Sequence, residues 1–210
     1  MNSRTLGRIF SIIFVVGLVL GATGCKKQEE PFEVYPQPPQ ASLQRHWQLP
    51  DFALVERSGK TLGSADLRGK VWVADFFYSS CPGPCPMLSS QLSDIYKSTR
   101  TMDGVTLVSI STDPIKDTPE VLTKYAEKFG AMENWWFLTG DKTAIYELAN
   151  KGFKIGVTED PGALKESITH STKLVLVDKN GMVRGFYNGL EAAEGKRLIG
   201  DIETLRKETR

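Results

Sequence analysis

Apolar residues fall along this 210-residue chain in two recurring patterns. In the first they are nearly continuous over a short stretch: "VWVADFFYSS" (71–80), "VTLVSIST" (105–112) and "WWFLTG" (135–140) are rich in β-branched and aromatic residues, which predicts strands buried on both faces. In the second they return every three to four residues. Leu88, Leu92 and Ile95 follow Pro86 at helical spacing, and a proline at the first helical position gives up an N–H that had no partner there. Thr118-Pro119-Glu120 opens a second helix that Gly130 closes, Asp141 is placed to cap a third over "KTAIYELANKGF" (142–153), and a last one covers roughly 191–207. Hairpins are expected in "DFALVERSGKTLG" (51–63), turning at Ser58-Gly59, and in "KLVLVDKNGMVRGFY" (173–187), turning at Asp178-Lys179-Asn180-Gly181. Ser64 is expected to cap a single helical turn ahead of Arg68-Gly69-Lys70. Strands alternating with helices, closed by a hairpin and a helix, predict a three-layer α/β/α domain around a central β-sheet, with the first hairpin as an N-terminal extension.

One apolar run fits neither pattern. "IFSIIFVVGLVLGATG" (9–24) comes after Arg4 and Arg8 and ends in small residues at Cys25, the layout of an export signal. Ala22-Thr23-Gly24-Cys25 resembles a bacterial lipoprotein cleavage box, in which the cysteine is acylated and becomes the new N-terminus, although Ala22 stands where that box usually has Leu. The other reading is an uncleaved membrane helix of about the minimum spanning length. Each tethers the rest of the chain to the extracytoplasmic, periplasmic side of a bacterial membrane. Residues 26–47, "KKQEEPFEVYPQPPQASLQRHW", are polar and proline-rich and read as a flexible linker, leaving 48–210 as the domain. Losing residues 1–25 removes two cations and no acid, so 24 basic residues face 25 acidic ones. That balance argues against nucleic acid as a partner, because no basic excess exists to replace phosphate counterions.

With Cys25 assigned to the tether, Cys81 and Cys85 in "YSSCPGPCPM" (78–87) remain as a pair just after a central strand, where open α/β sheets place their sites. In an oxidising compartment such neighbours tend towards a disulfide unless something keeps them reduced. As a structural staple the bridge would be weak, because so short a loop restricts the unfolded chain little. A redox CxxC motif has two intervening residues; here Pro82, Gly83 and Pro84 intervene. Side chains at i and i+4 share a face in a one-turn conformation, so the two thiolates can point at one ion and can also form a disulfide. Of the two histidines, His46 sits in the linker and reads as solvated. His170, in "SITHSTKLVLVD", directly precedes a strand, where a hydrogen-bonded loop histidine and a metal ligand are both open readings.

Three separated stretches resemble the Sco/SenC proteins, copper chaperones of cytochrome c oxidase assembly. They are Cys81-Pro82-Gly83-Pro84-Cys85-Pro86, "SISTDPIKDTPEVLTKYAEKFG" (109–130), and "HSTKLVLVDKNG" (170–181) with "FYNG" (186–189) behind it. They stand in the family's order and approximate spacing and span about residues 48–207. The resemblance implies a thioredoxin-like fold and one copper ion, Cu(I) or Cu(II), held by Cys81, Cys85 and His170, with Asp113 as an acidic residue near it. It also implies a Cys81–Cys85 disulfide as the oxidised form. Gly83 stands where the family usually has Asp, which leaves the ligands intact and takes a carboxylate away from them. The chemistry is consistent: soft thiolates select Cu(I) and imidazole suits copper, whereas a structural zinc site would need a fourth ligand that the sequence does not offer. Thioredoxin-fold oxidoreductases also set a cis-proline before the strand entering the last hairpin. That position falls near Thr172, and no proline comes after Gly162, which favours metal capture over disulfide exchange.

Three functions are thus in competition. The first is a metallochaperone delivering copper to the dinuclear centre of the oxidase's copper-bearing subunit, itself supplied by another copper carrier. The second is a thiol-disulfide oxidoreductase acting on the oxidase's copper-ligand cysteines, motivated by a thiol at a helix N-terminus, where the dipole lowers its pKa. The third is a copper or redox sensor. All three require a thioredoxin-like reductant to return Cys81 and Cys85 to the dithiol.

Overall fold

The computed structural model describes residues 43–160, 167–169 and 171–208. The apolar run 9–24, Cys25 and His170 lie outside the described residues. In chain order the elements are β1 (Ala53–Glu56), β2 (Thr61–Gly63), α1 (Ser64–Leu67), β3 (Val71–Phe77), α2 (Cys85–Thr99), β4 (Val105–Ser111), α3 (Pro119–Lys128), β5 (Trp135–Thr139), α4 (Lys142–Glu147), β6 (Thr158–Asp160), β7 (Ser167–Thr169), β8 (Lys173–Val177), β9 (Val183–Asn188) and α5 (Ala192–Lys207).

The sheet has seven strands in the order β2-β1-β5-β4-β3-β8-β9. β3, β4 and β5 run parallel at its centre. Every residue of these three strands is buried, as parallel strands covered on both faces must be. Alternation along β3 divides the interior. Val71, Val73 and Phe77 face the layer of α2, α3 and α5, while Trp72, Ala74 and Phe76 face the layer of α1 and α4. The expected three-layer α/β/α architecture is therefore present, with the β1–β2 hairpin extending one edge. β8 runs antiparallel to β3, pairing Ala74 with Val175 and Trp72 with Val177, so β8 begins at the end of the sheet where β3 finishes.

Four details differ from the pattern-based expectation. Ser64 is the first residue of α1 and not its cap; the Gly63 N–H donates instead to the Asp66 carboxylate (2.9 Å). The cause is a close approach of the chain: a Cβ at Gly63 would lie 2.0 Å from the Phe52 carbonyl oxygen, and the Ser64 hydroxyl is engaged there, accepting from Phe52 N–H and donating to Asp51. α2 starts at Cys85, one residue before Pro86. α4 continues as one π-helical turn, Leu148–Gly152. β6 and β7 form a separate antiparallel pair that the pattern does not announce.

Candidate metal centre

β3 ends at Phe77, and the chain turns at once: the Cys81 N–H donates to the Tyr78 carbonyl (3.2 Å). Pro84 precedes α2, its carbonyl accepting from Leu88 N–H (2.9 Å), so Cys85 occupies the first helical position. α2 is anchored by its apolar stripe, Leu88, Leu92 and Ile95 all being buried. Cys85 is fully buried and Cys81 is 8% exposed, while Pro82 and Gly83 between them reach solvent. Both cysteines are thiols in this structure, and they lie within hydrogen-bonding reach of each other. That proximity suits either a shared ion or a disulfide.

Burial pushes the Cys85 thiol well above its usual pKa; a backbone hydrogen bond at Tyr78 opposes the rise, and the Cys81 thiol adds to it. The lowering expected from the helix N-terminus is thus outweighed at Cys85. Desolvating a thiolate costs more than a half-charge at the end of a helix returns. Tyr78, absent from the sequence-based site, stands beside the pair. Its phenol is pushed up to about 12, first by burial, then by a hydrogen bond with Cys81 and by the fields of Cys81, Cys85 and Asp113. The Tyr78 phenol thus lies within the fields of both thiols and of the Asp113 carboxylate.

Asp113 lies just past the carboxyl end of β4 and is 8% exposed, with Lys116 Nζ 3.3 Å from Oδ2. The neighbouring Asp117, which the sequence pattern assigns only to the approach of a helix, is fully buried. It accepts from the Ser79 N–H (3.0 Å), from the Ser79 hydroxyl, and from the Ser111 hydroxyl (2.5 Å). At Gly83 a Cβ would meet only the Cys81 sulfur, at 4.0 Å, so a side chain fits there and the absent carboxylate is a matter of chemistry and not of space. His46 is exposed and packs edge-on against Trp47 and Phe186, centroids 5.8 and 5.6 Å away.

A family model described as SCO1/SenC matches residues 40–207. The chain belongs to the SCO1/SenC family. Its fold is the thioredoxin-like fold of the solved Sco structures. A SCO1/SenC family lipoprotein of Bacillus anthracis is 32% identical with a TM-score of 0.71, over 77% of this chain and 96% of that one. BsSco, a member of the Sco family of cytochrome c oxidase assembly proteins in which a disulfide switch is identified, is 29% identical with a TM-score of 0.69, over 80% and 97%. ScoI of Bradyrhizobium japonicum, solved with copper bound, shares the fold with a TM-score of 0.65 at 22% identity, over 76% and 99%. Among the described residues of this Sco chain, no helix is long and apolar enough to cross a membrane.

Proposed function

We propose that this Sco-family chain is a membrane-tethered copper chaperone. It binds one ion through Cys81, Cys85 and His170 and passes it to the dinuclear copper centre of cytochrome c oxidase on the extracytoplasmic side. The observation that carries this reading is the pair of buried thiols, within reach of each other, at the carboxyl end of β3 and beside Asp113. The start of β8 supports the third ligand: the Thr172 carbonyl accepts from the Gly189 N–H (2.9 Å), and Gly189 lies against Leu88 in the first turn of α2. His170 is two residues upstream of that contact. Two thiolates and a neutral imidazole leave a bound Cu(I) site with net charge −1, and three ligands leave a position open for the receiving protein.

Loading displaces both thiol protons. Because burial raises Cys85, copper must compete with a tightly held proton and affinity should climb with pH. The copper bound to Bradyrhizobium ScoI, the oxidase assembly role stated for BsSco's family, and the lipoprotein nature of the Bacillus anthracis relative all support the assignment. Cys25 is the proposed lipid attachment site. The oxidised form is a Cys81–Cys85 disulfide, which a thioredoxin-like dithiol returns to two thiols by transferring two electrons and two protons. Exchange catalysis is less well served, since no proline follows Gly162 to stand before the strand that enters the last hairpin.

The test is an anaerobic Cu(I) competition titration of the reduced full chain in detergent, run beside His170→Ala. One-to-one binding that the substitution weakens by tenfold or more, about 1.4 kcal/mol, is expected. Weak binding indifferent to His170 would assign the thiols to redox chemistry instead.

A further inference from the structure

The buried carboxylate of Asp117 is not needed where it stands by the helix after it. α3 is capped by the Thr118 hydroxyl, which accepts from the Val121 N–H at 3.5 Å. The bonds of Asp117 run towards the site instead. Two of them reach Ser79, two residues before Cys81 and 38 positions away in sequence. The third comes from Ser111, whose hydroxyl oxygen in turn accepts the Asp113 N–H (3.1 Å). The Lys116 and Asp117 N–H groups both donate to the Asp113 carbonyl (3.1 and 2.9 Å), closing the turn. One carboxylate therefore joins the segment entering the thiol pair to the segment carrying Asp113. A polar group so buried is kept only where its hydrogen-bond partners are fixed, and here the fixed donors belong to the two strand ends that frame the site.

We propose that Asp117 is the positioning residue that holds Cys81 in register with Cys85 and with Asp113. Cys85 is set by α2, so the freedom of the pair lies in the turn at residues 78–80, and that turn is what Asp117 pins through Ser79. Disulfide geometry tolerates little displacement; the position of Cys81 accordingly sets the dithiol–disulfide equilibrium. The separation of the Asp113 carboxylate from the thiols, held through Ser111, sets how strongly its charge favours Cu(II) over Cu(I). This second consequence rests on the copper-site reading above; the first does not.

Three variants of the full chain in detergent separate the connections. Asp117→Asn keeps the size and one acceptor oxygen, Ser79→Ala removes the hydroxyl bond to the cysteine turn and leaves the Ser79 N–H bond, and Ser111→Ala removes the side-chain tie to Asp113. Each is equilibrated with a dithiothreitol redox buffer. The Cys81–Cys85 disulfide takes two electrons and two protons from reduced dithiothreitol, which closes to its cyclic disulfide. Asp117→Asn and Ser79→Ala are expected to shift the equilibrium constant at least tenfold, about 30 mV for a two-electron couple, with the melting temperature of the dithiol form nearly retained. Ser111→Ala should leave that couple within threefold of wild type and change the ratio of Cu(I) to Cu(II) affinity at least tenfold. Wild-type potentials in both Ser79→Ala and Asp117→Asn overturn the proposal; should Asp117→Asn not fold, Asp117→Glu, which displaces the acceptor oxygens by one methylene, takes its place. If the wild type binds no copper, the chaperone reading falls while the potentials still report on Asp117.

Discussion

Asp75 is a carboxyl placed wholly inside the protein, on the face of β3 that carries Val73 and Phe77. In the parallel register it stands opposite Ser109, whose hydroxyl donates to Oδ1 (2.5 Å) while accepting from Trp135 Nε1 (3.0 Å). Oδ2 has no hydrogen-bond partner among the described residues. Burial pushes the carboxyl up from 3.8 to about 7, with the Ser109 bond opposing. Because the folded value lies above the unfolded one, the folded state binds the extra proton between those limits. The associated stability is complete below about pH 4, declines as pH rises to 7, and stays lost above it. A shift of this size corresponds to about 4 kcal/mol. Asp75→Asn, which cannot ionise, should therefore be more stable than wild type by on the order of 2–4 kcal/mol at pH 8, with the advantage shrinking towards pH 4. Urea denaturation at pH 5 and pH 8 measures this directly, and an advantage that does not change with pH would mean that Asp75 keeps its proton throughout.

The first turn of α2 is located by a glycine on another strand. A Cβ at Gly189, just past β9, would lie 2.1 Å from Leu88 Cδ1 and 2.8 Å from the Thr172 carbonyl oxygen. No side chain fits between the helix and the start of β8. Gly189→Ala should therefore displace Leu88, three residues after Cys85, cost about 1–3 kcal/mol of stability as overpacking does, and weaken Cu(I) binding. Gly83→Ala, where a Cβ meets only sulfur at 4.0 Å, is the control; equal melting temperatures for the two would refute the packing argument. Much of this framework was legible in the residues. Continuous β-branched runs mark β3, β4 and β5, and the Asp178–Gly181 turn marks the last hairpin. β6 and β7 are not legible because three-residue strands are too short to display a period. The π-helical turn is not legible because Leu148–Gly152 keeps helical composition while only its hydrogen bonding changes. At the site, cysteine declares itself by type. Asp117 and Tyr78 do not: Asp-Thr-Pro reads as a helix start and Tyr78 as the tail of an apolar run, and only the convergence of the β3 and β4 ends gives them a common purpose.

The two ends of the described domain meet at Arg184 on β9, whose side chain is 1% exposed. Each of its five N–H donors has an acceptor. Nη1 reaches Asp178 (2.9 Å) and Glu208 (2.8 Å), Nη2 reaches Glu208 (2.8 Å) and the Leu43 carbonyl (2.7 Å), and Nε reaches the Gln44 carbonyl (3.2 Å). The segment entering the domain is thereby fastened both to the C-terminal end of α5 and to the β8–β9 hairpin. Backbone bonds extend the attachment, from His46 N–H to the Val183 carbonyl and from Val183 N–H to the Trp47 carbonyl (both 2.9 Å). Asp178 sits at the carboxyl end of β8, alongside the start of β3, so this clasp and the thiol pair occupy opposite ends of the sheet. Removing the guanidinium leaves Asp178 and Glu208 facing each other with their cation gone, a loss of about 3–5 kcal/mol by the precedent of broken buried pairs. Arg184→Ala is accordingly expected to lower stability by that amount and to open Arg45 to trypsin, since cleavage there requires the entering segment to lift from β9. The folded variant should still bind Cu(I) within threefold of wild type, because the thiols are held by α2 and by the ends of β3 and β4. Cleavage at the wild-type rate would show that the backbone bonds of His46 and Trp47 to Val183 hold the segment without Arg184, and a loss of copper affinity would show that the two ends of the sheet are coupled.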